Sequence, residues 1–435
     1  MTTEQTEVAP EESIDSTLTE TELATAAPEV LATSLGDYLQ AWWRRIKSGE
    51  SGAVPIIAGL IAIIIFFQIE RSAFLTNQNL VNLFEEAALY VVVGAAETFV
   101  LLLSEIDLSI GYGVGIGGFV IAELIAPPVN FPWWLGIIGG VVAVGFLGFV
   151  QGTLITQLGL PSFIVTLGGQ LGLLGIMLEL ANVDPTAVGG AIQVAPTSPI
   201  YKLVNSNMSP SLGWIALAAC LALFAAVKLA RQRSRRARGL HTQPIGVTLL
   251  TLASVTVAGV LLVYVCNSNR SALAVVRGMP WVIPFVLVII LAYSWLLSRT
   301  RTGRYIYAVG NNPEAARRAG IKVNRIVTFA FVMSGATAAL GGAIYVSTQG
   351  SMATDIDGGG LVLFAVAAAV IGGTTLFGGR GRMVNALLGG VIIAVVYNGL
   401  ALMGVQAAVQ DMATALVLIA AVALDAVVRR RSSTR

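Results

Sequence analysis

Residues 246–266 read GVTLLTLASVTVAGVLLVYVC, a run without a charged side chain and close to the roughly 20 residues that carry a helix across a bilayer. Comparable apolar blocks lie at Val54–Phe67, Leu212–Leu229 and Thr414–Val428. Around them the 435-residue chain is 56% hydrophobic and only 11% charged, with a mean hydropathy of +0.80. An ordinary soluble domain carries about 25% charged residues. So few charges cannot cover a water-facing surface, and the chain reads as an all-α, polytopic membrane protein.

Apolar runs set against helix breakers give about twelve transmembrane helices, roughly 53–69, 80–103, 109–125, 134–158, 163–180, 212–229, 246–266, 280–297, 326–348, 361–377, 381–404 and 413–428. Lys and Arg collect before the first span (Arg44, Arg45, Lys47), in RQRSRRAR at 231–238, across 299–325, at Arg380 and Arg382, and at the carboxyl end. With twelve spans all five clusters share one side, which places both termini in the cytoplasm. The opposite face receives the long loop 181–211 and the segment 349–360, QGSMATDIDGGG, with Trp133 and Trp134 at belt depth. Arg270 and Arg277 are exceptions on that outer side. Glycines are concentrated within spans, which suits close helix packing. A second reading makes them interrupted helices lining a path, and the glycine patterns of 109–158 and 361–404 then suggest an inverted repeat.

Several functions are excluded by what the chain lacks. With one histidine, His241, no His/Cys metal site can be assembled, so no metal is expected. Cys220 and Cys266 read as small core residues. None of the four lysines follows a glycine and precedes Ser or Thr, so the chain has no phosphate-binding loop and no cofactor of its own. No catalytic His-based or Ser-Lys set is present, and no nucleic-acid partner is expected. Residues 1–40 hold nine of the 24 acids and none of the 26 bases, which reads as an acidic disordered cytoplasmic tail ahead of a transmembrane body at 41–435.

The most informative segment is cytoplasmic: RTRTGRYIYAVGNNPEAARRAGIKVNRI, residues 299–326. Asn311 or Asn312 can cap a helix, Pro313 suits its first position and Glu314 its first turn; Arg317 and Arg318 complement its end and Gly320 terminates it. So short a helix needs a partner surface to hold it. Ionisable residues inside spans ask for a reason as well. Glu85 and Glu86 sit near the outer start of the second span, where the helix end eases their cost. Glu97 lies deeper, within YVVVGAAETFVLLL, and reads equally as a path-lining group or a helix-contact group. Asp107 is expected to cap a helix beginning near Leu108, with Ser109 assisting, at a place where a gate could bend.

Glu314-Ala315-Ala316 followed by Gly320 resembles the EAA-x-x-x-G pattern of ABC importer permeases, without the Leu-Pro that often closes that motif. The run Gly303–Gly320 is similar to the permeases of ribose, xylose, arabinose and related sugars. So are Glu105-Ile-Asp-Leu-Ser-Ile-Gly111, Pro161-Ser-Phe-Ile-Val-Thr-Leu-Gly168, Val370–Gly379 and Asn398-Gly399. Glu105 and the insert RQRSRRARGL look like the xylose-type subgroup, whereas Tyr397 departs from the usual acid and 267–280 is longer than the pattern.

The resemblance implies the membrane subunit of an ATP-driven importer for a xylose-like monosaccharide in the plasma (inner) membrane. It implies a homodimer, cytoplasmic ABC ATPase subunits holding ATP and Mg, and an extracytoplasmic sugar-binding protein. Asn312, Pro313, Glu314, Ala315, Ala316, Arg317, Arg318 and Gly320 would couple to the ATPase. Glu97, Glu105, Asp107, Ser109, Phe163 and Asn398 would line the path or gate, and Asp355 and Asp357 would meet the binding protein. The alternative is a cation-coupled secondary transporter using Glu97 and Glu179.

Overall fold

The computed structural model describes residues 53–183, 190–238, 244–271 and 274–416, with the single positions Gly36, Gln40 and Ile419. The acidic tail, apart from those two positions, and His241 lie outside the described residues. The elements are α1 (Ala53–Glu70), α2 (Asn77–Leu101), α3 (Ile110–Ile125), α4 (Trp133–Leu158), α5 (Ser162–Val183), β1 (Ala191–Gln193), α6 (Pro199–Asn205), α7 (Pro210–Ala237) and α8 (Ile245–Asn267). Then follow α9 (Val282–Arg299), α10 (Arg301–Asn311), α11 (Pro313–Arg318), α12 (Val323–Gln349), β2 (Ser351–Ala353), α13 (Gly358–Ile371) and α14 (Met383–Leu402). The all-α reading holds.

Each of the first eleven expected spans falls on a helix. Among the described residues seven helices are long and apolar enough to cross a membrane: α4, α5, α7, α8, α9, α12 and α14. Helices α3 and α13 are apolar but shorter, as is Ile56–Glu70, the part of α1 whose side chains are described. Helix α2 has 25 residues and carries Glu85, Glu86 and Glu97, the last within a second half that protein buries. The expected span 361–377 is corrected: α13 ends at Ile371, and Gly372 and Gly373 turn the chain into a loop that runs to Arg382. The twelfth, 413–428, lies largely outside the described residues.

The chain divides into two units. In the larger, residues 51–218 and 259–435, α12 is the central element and packs against α4, α3 and α2, while α13 and α14 pack against each other and against α2. Glycine sets these distances. A Cβ at Gly342 of α12 would strike the backbone of Gly118 of α3, and one at Gly152 of α4 would come within 2.7 Å of the Thr328 Cα. Small residues at crossings let backbones meet where lipid supplies no hydrophobic drive, so the close-packing reading of the glycines holds along α3, α4 and α12. One apolar cluster joins Phe99, Leu102, Ile306, Val309, Phe331 and Ile344; a second joins Ile110, Phe119, Met177, Ile192 and Met352.

Strands β1 and β2 pair antiparallel, with Ile192 opposite Met352, and so stitch the two expected outer loops together. Arg270 donates to the carbonyls of Cys266 (2.7 Å) and Gly278 (2.8 Å) and to Asn207 Oδ1 (2.9 Å). That explains one outer-side exception: the guanidinium ties an irregular loop. Cys266 is buried as expected, but Cys220 is exposed on α7 and is not a core residue. The described part of the smaller unit, residues 219–238 and 244–258, is helical, with Thr248 Oγ1 donating to Gln232 Oε1 at 3.4 Å.

Candidate coupling and gating site

The segment 299–326, expected in the cytoplasm, holds two helices where one was expected. Thr300 caps α10, its hydroxyl accepting from the Gly303 N–H at 3.1 Å. Asn312, rather than Asn311, caps α11, its side chain accepting from Ala315 N at 2.9 Å, with Pro313 in the first position. Glu314 pairs with Arg317 (2.8 Å) and Arg318 (3.3 Å), all well exposed, which contributes about 0.2–0.5 kcal/mol per pair. Gly320 has φ +82°, the left-handed stop. Of the expected coupling residues, Ala316 alone turns inward: it is buried against the chain's own core, and its carbonyl accepts from Ile321 N at 3.0 Å. It seats the helix, while its neighbours face out.

Helix α10 ties this segment to the rest of the larger unit. Ile306 and Val309 are fully buried. A Cβ at Gly310 would be driven into the Leu102 carbonyl at the end of α2 and would lie 2.8 Å from Gly379 N, which itself donates to that same carbonyl at 2.9 Å. Tyr307 adds a hydroxyl donated to Gly381 O at 2.7 Å, and burial pushes its phenol above the usual value. Leu102, Gly310 and Gly379 thus form a three-way backbone joint. The sequence offered a signal for it, the paired glycines of Val370–Gly379, but nothing in a linear reading said what they approach.

Past the joint the chain breaks between α2 and α3. Ser104 has φ +63°, uncommon for a residue with a side chain. Asp107 is expected as a cap for a helix from Leu108; instead α3 starts at Ile110, and Ser109 holds the cap position without a capping bond from its side chain. The physical reason is that the Asp107 carboxylate is engaged elsewhere. Its Oδ1 accepts from Ser109 N (3.0 Å) and Oγ (2.6 Å), and its Oδ2 accepts from Ser334 Oγ of α12 (2.7 Å). Gln151 of α4 donates to Ser109 Oγ at 3.0 Å. Ser162 and Thr166 of α5 hold the Ile106 backbone at 3.4 and 3.3 Å.

Four of the expected path residues therefore meet here: Asp107 and Ser109 in the network, half-buried Glu105 beside it, and Glu97 fully buried and in electrostatic contact with Asp107. Neither Glu97 oxygen has a hydrogen-bond partner among the described residues. Phe163 is exposed on α5. Asn398 is not part of this group: it accepts from Asn79 at 2.7 Å and donates to Glu86 at 3.2 Å. Asp355 and Asp357 are exposed after β2, and Asp357 caps α13 by accepting from Gly360 N at 2.8 Å. The void beside Asp107 is about 10 Å³, room for one water and not for a sugar.

Comparison with known proteins identifies the family. The family model described as "Branched-chain amino acid transport system / permease component" matches residues 79–422. The chain belongs to this permease family. The permease is 32% identical over 390 residues to the xylose transport system permease protein XylH of Escherichia coli, covering 89% of this chain and 95% of that one. It is 30% identical to the D-allose transport system permease protein AlsC (87% and 92%) and 28% identical to the ribose import permease protein RbsC (89% and 95%), both of Escherichia coli. No solved structure matches. The permease is a multi-pass membrane subunit of an ABC-type importer, and not an enzyme.

Proposed function

We propose that the permease imports a monosaccharide, a xylose-like pentose or a related sugar, by ATP-driven alternating access. ATPase subunits dock on the exposed face of α11, two permease copies form the path, and an extracytoplasmic binding protein delivers the sugar at the outer loops around Asp355 and Asp357. The permease sits in the plasma membrane with cytoplasmic termini and twelve spans, on the Lys/Arg distribution. The pentose assignment rests on the relatives' names together with Glu105 and the RQRSRRARGL insert.

The Leu102–Gly310–Gly379 joint carries the mechanism. Packed elements move as units with a few discrete arrangements. A displacement of α11 and α10 bears through Gly310 on the end of α2 and on the loop after α13. From there it reaches the Asp107 network that holds α3, α4 and α12 together.

Docking is tested with a cysteine at Arg317, exposed and the fifth residue of α11, in a membrane preparation with the partner ATPase. A crosslink to the ATPase is expected, while a cysteine at buried Ala316 gives none until the helix is lifted from its seat. Labelling of Arg317→Cys only from outside the cell would overturn the topology.

A further inference from the structure

The described part of the smaller unit contains a cleft of about 520 Å³ that the transport mechanism does not use. It lies between the ends of α7 and α8 and is lined by Lys228, Arg231 and Arg235 beside Phe224, Val227 and Thr248. Positions 224, 228, 231 and 235 recur at helical spacing, so the three cations and the ring share one face of α7. The hydrogen bond from Thr248 to Gln232 closes the cleft on the α8 side. No Asp or Glu occurs anywhere in residues 219–258, and among the described residues no carboxylate pairs with Lys228, Arg231 or Arg235.

Depth identifies the anion. The apolar run Leu212–Leu229 covers about 27 Å as a helix, close to the roughly 30 Å of a bilayer's hydrocarbon core. Lys228 therefore lies at the edge of the hydrocarbon and the two arginines at the level of lipid phosphates. Leu223, Leu249 and Leu250, close in sequence to the lining residues Phe224 and Thr248, are exposed, ready for acyl chains. A free anion would have no use for that apolar lining, and the acidic residues 1–40 offer no acyl chain to it.

We propose that this cleft binds the phosphate of an anionic phospholipid from the cytoplasmic leaflet, where such lipids and basic segments attract one another. The site is amphipathic by construction: cations hold the headgroup, and Phe224 and Val227 receive the glycerol end of the chains.

The test uses the full chain in detergent, with lipid retention read by native mass spectrometry. Phosphatidylglycerol should be retained about tenfold more than phosphatidylcholine of equal chain length. Arg231→Gln with Arg235→Gln should remove that preference. Arg233→Gln with Arg238→Gln makes the same charge change outside the cleft lining and should alter retention by no more than about twofold. Equal losses in the two double variants would overturn the proposal in favour of a diffuse basic surface. Displacement of phosphatidylglycerol by millimolar inorganic phosphate would overturn it in favour of a free-anion site. A preference seen only after deletion of residues 1–40 would make the acidic segment the occupant.

Discussion

Gly310 is the residue on which the coupling account leans most. Its missing Cβ lets the α10 backbone reach the Leu102 carbonyl, and overpacking a contact of this kind costs about 1–3 kcal/mol. Gly310→Ala should leave the permease in the membrane and its ATPase docked while uptake falls about tenfold, read as sugar transported per ATP hydrolysed. An unchanged ratio would remove the joint from the mechanism. Asp107 illustrates what sequence reasoning reaches at this scale. Its polarity beside a glycine-rich helix start marked it as functional, but its partner Ser334 lies 227 positions away, and such a pairing leaves no local signature. Glu97 was equally visible as a charge in an apolar run. That it would be fully enclosed depended on the packing of α2 within the larger unit.

Among the elements, α11 was legible because every start and stop cue is local: the Asn312 cap, Pro313, Glu314 and Gly320. Helix α10 was not, since an amphipathic segment of 11 residues following Arg and Thr reads as a connector until its core face is seen. The end of α13 is hidden in the sequence for a related reason: an apolar glycine-rich loop has the hydropathy of a span but not its hydrogen bonds. The cue at Gly320 yields a clean contrast. Nothing lies within 4 Å of a Cβ there, so only the backbone opposes substitution, at roughly 1–2 kcal/mol for a residue that disfavours the left-handed region. Gly320→Val should abolish most uptake at normal membrane levels, and Gly320→Asn, which tolerates that region, should retain most of it. Similar losses in both variants would mean that the residue contacts the ATPase directly rather than shaping the turn.

For the whole molecule, composition sufficed to establish an all-α membrane protein, and the positions of eleven helices followed from hydropathy and breakers. The joint and the strapped break did not, because the joint is made by backbones from α2, α10 and the loop after α13, and the break is held by side chains of α4, α5 and α12 from distant parts of the sequence. The central claim is that ATP, acting through α11, powers the permease, so no intramembrane acid needs to exchange a proton or a cation. The direct measurement reconstitutes the permease with its ATPase and binding protein in liposomes and compares sugar accumulation driven by ATP with that driven by a pH or sodium gradient. Accumulation should require ATP and both partners and should persist in Glu97→Gln, since glutamine preserves shape and hydrogen bonding but cannot titrate. Accumulation by the permease alone under an ion gradient, lost in Glu97→Gln, would contradict the account.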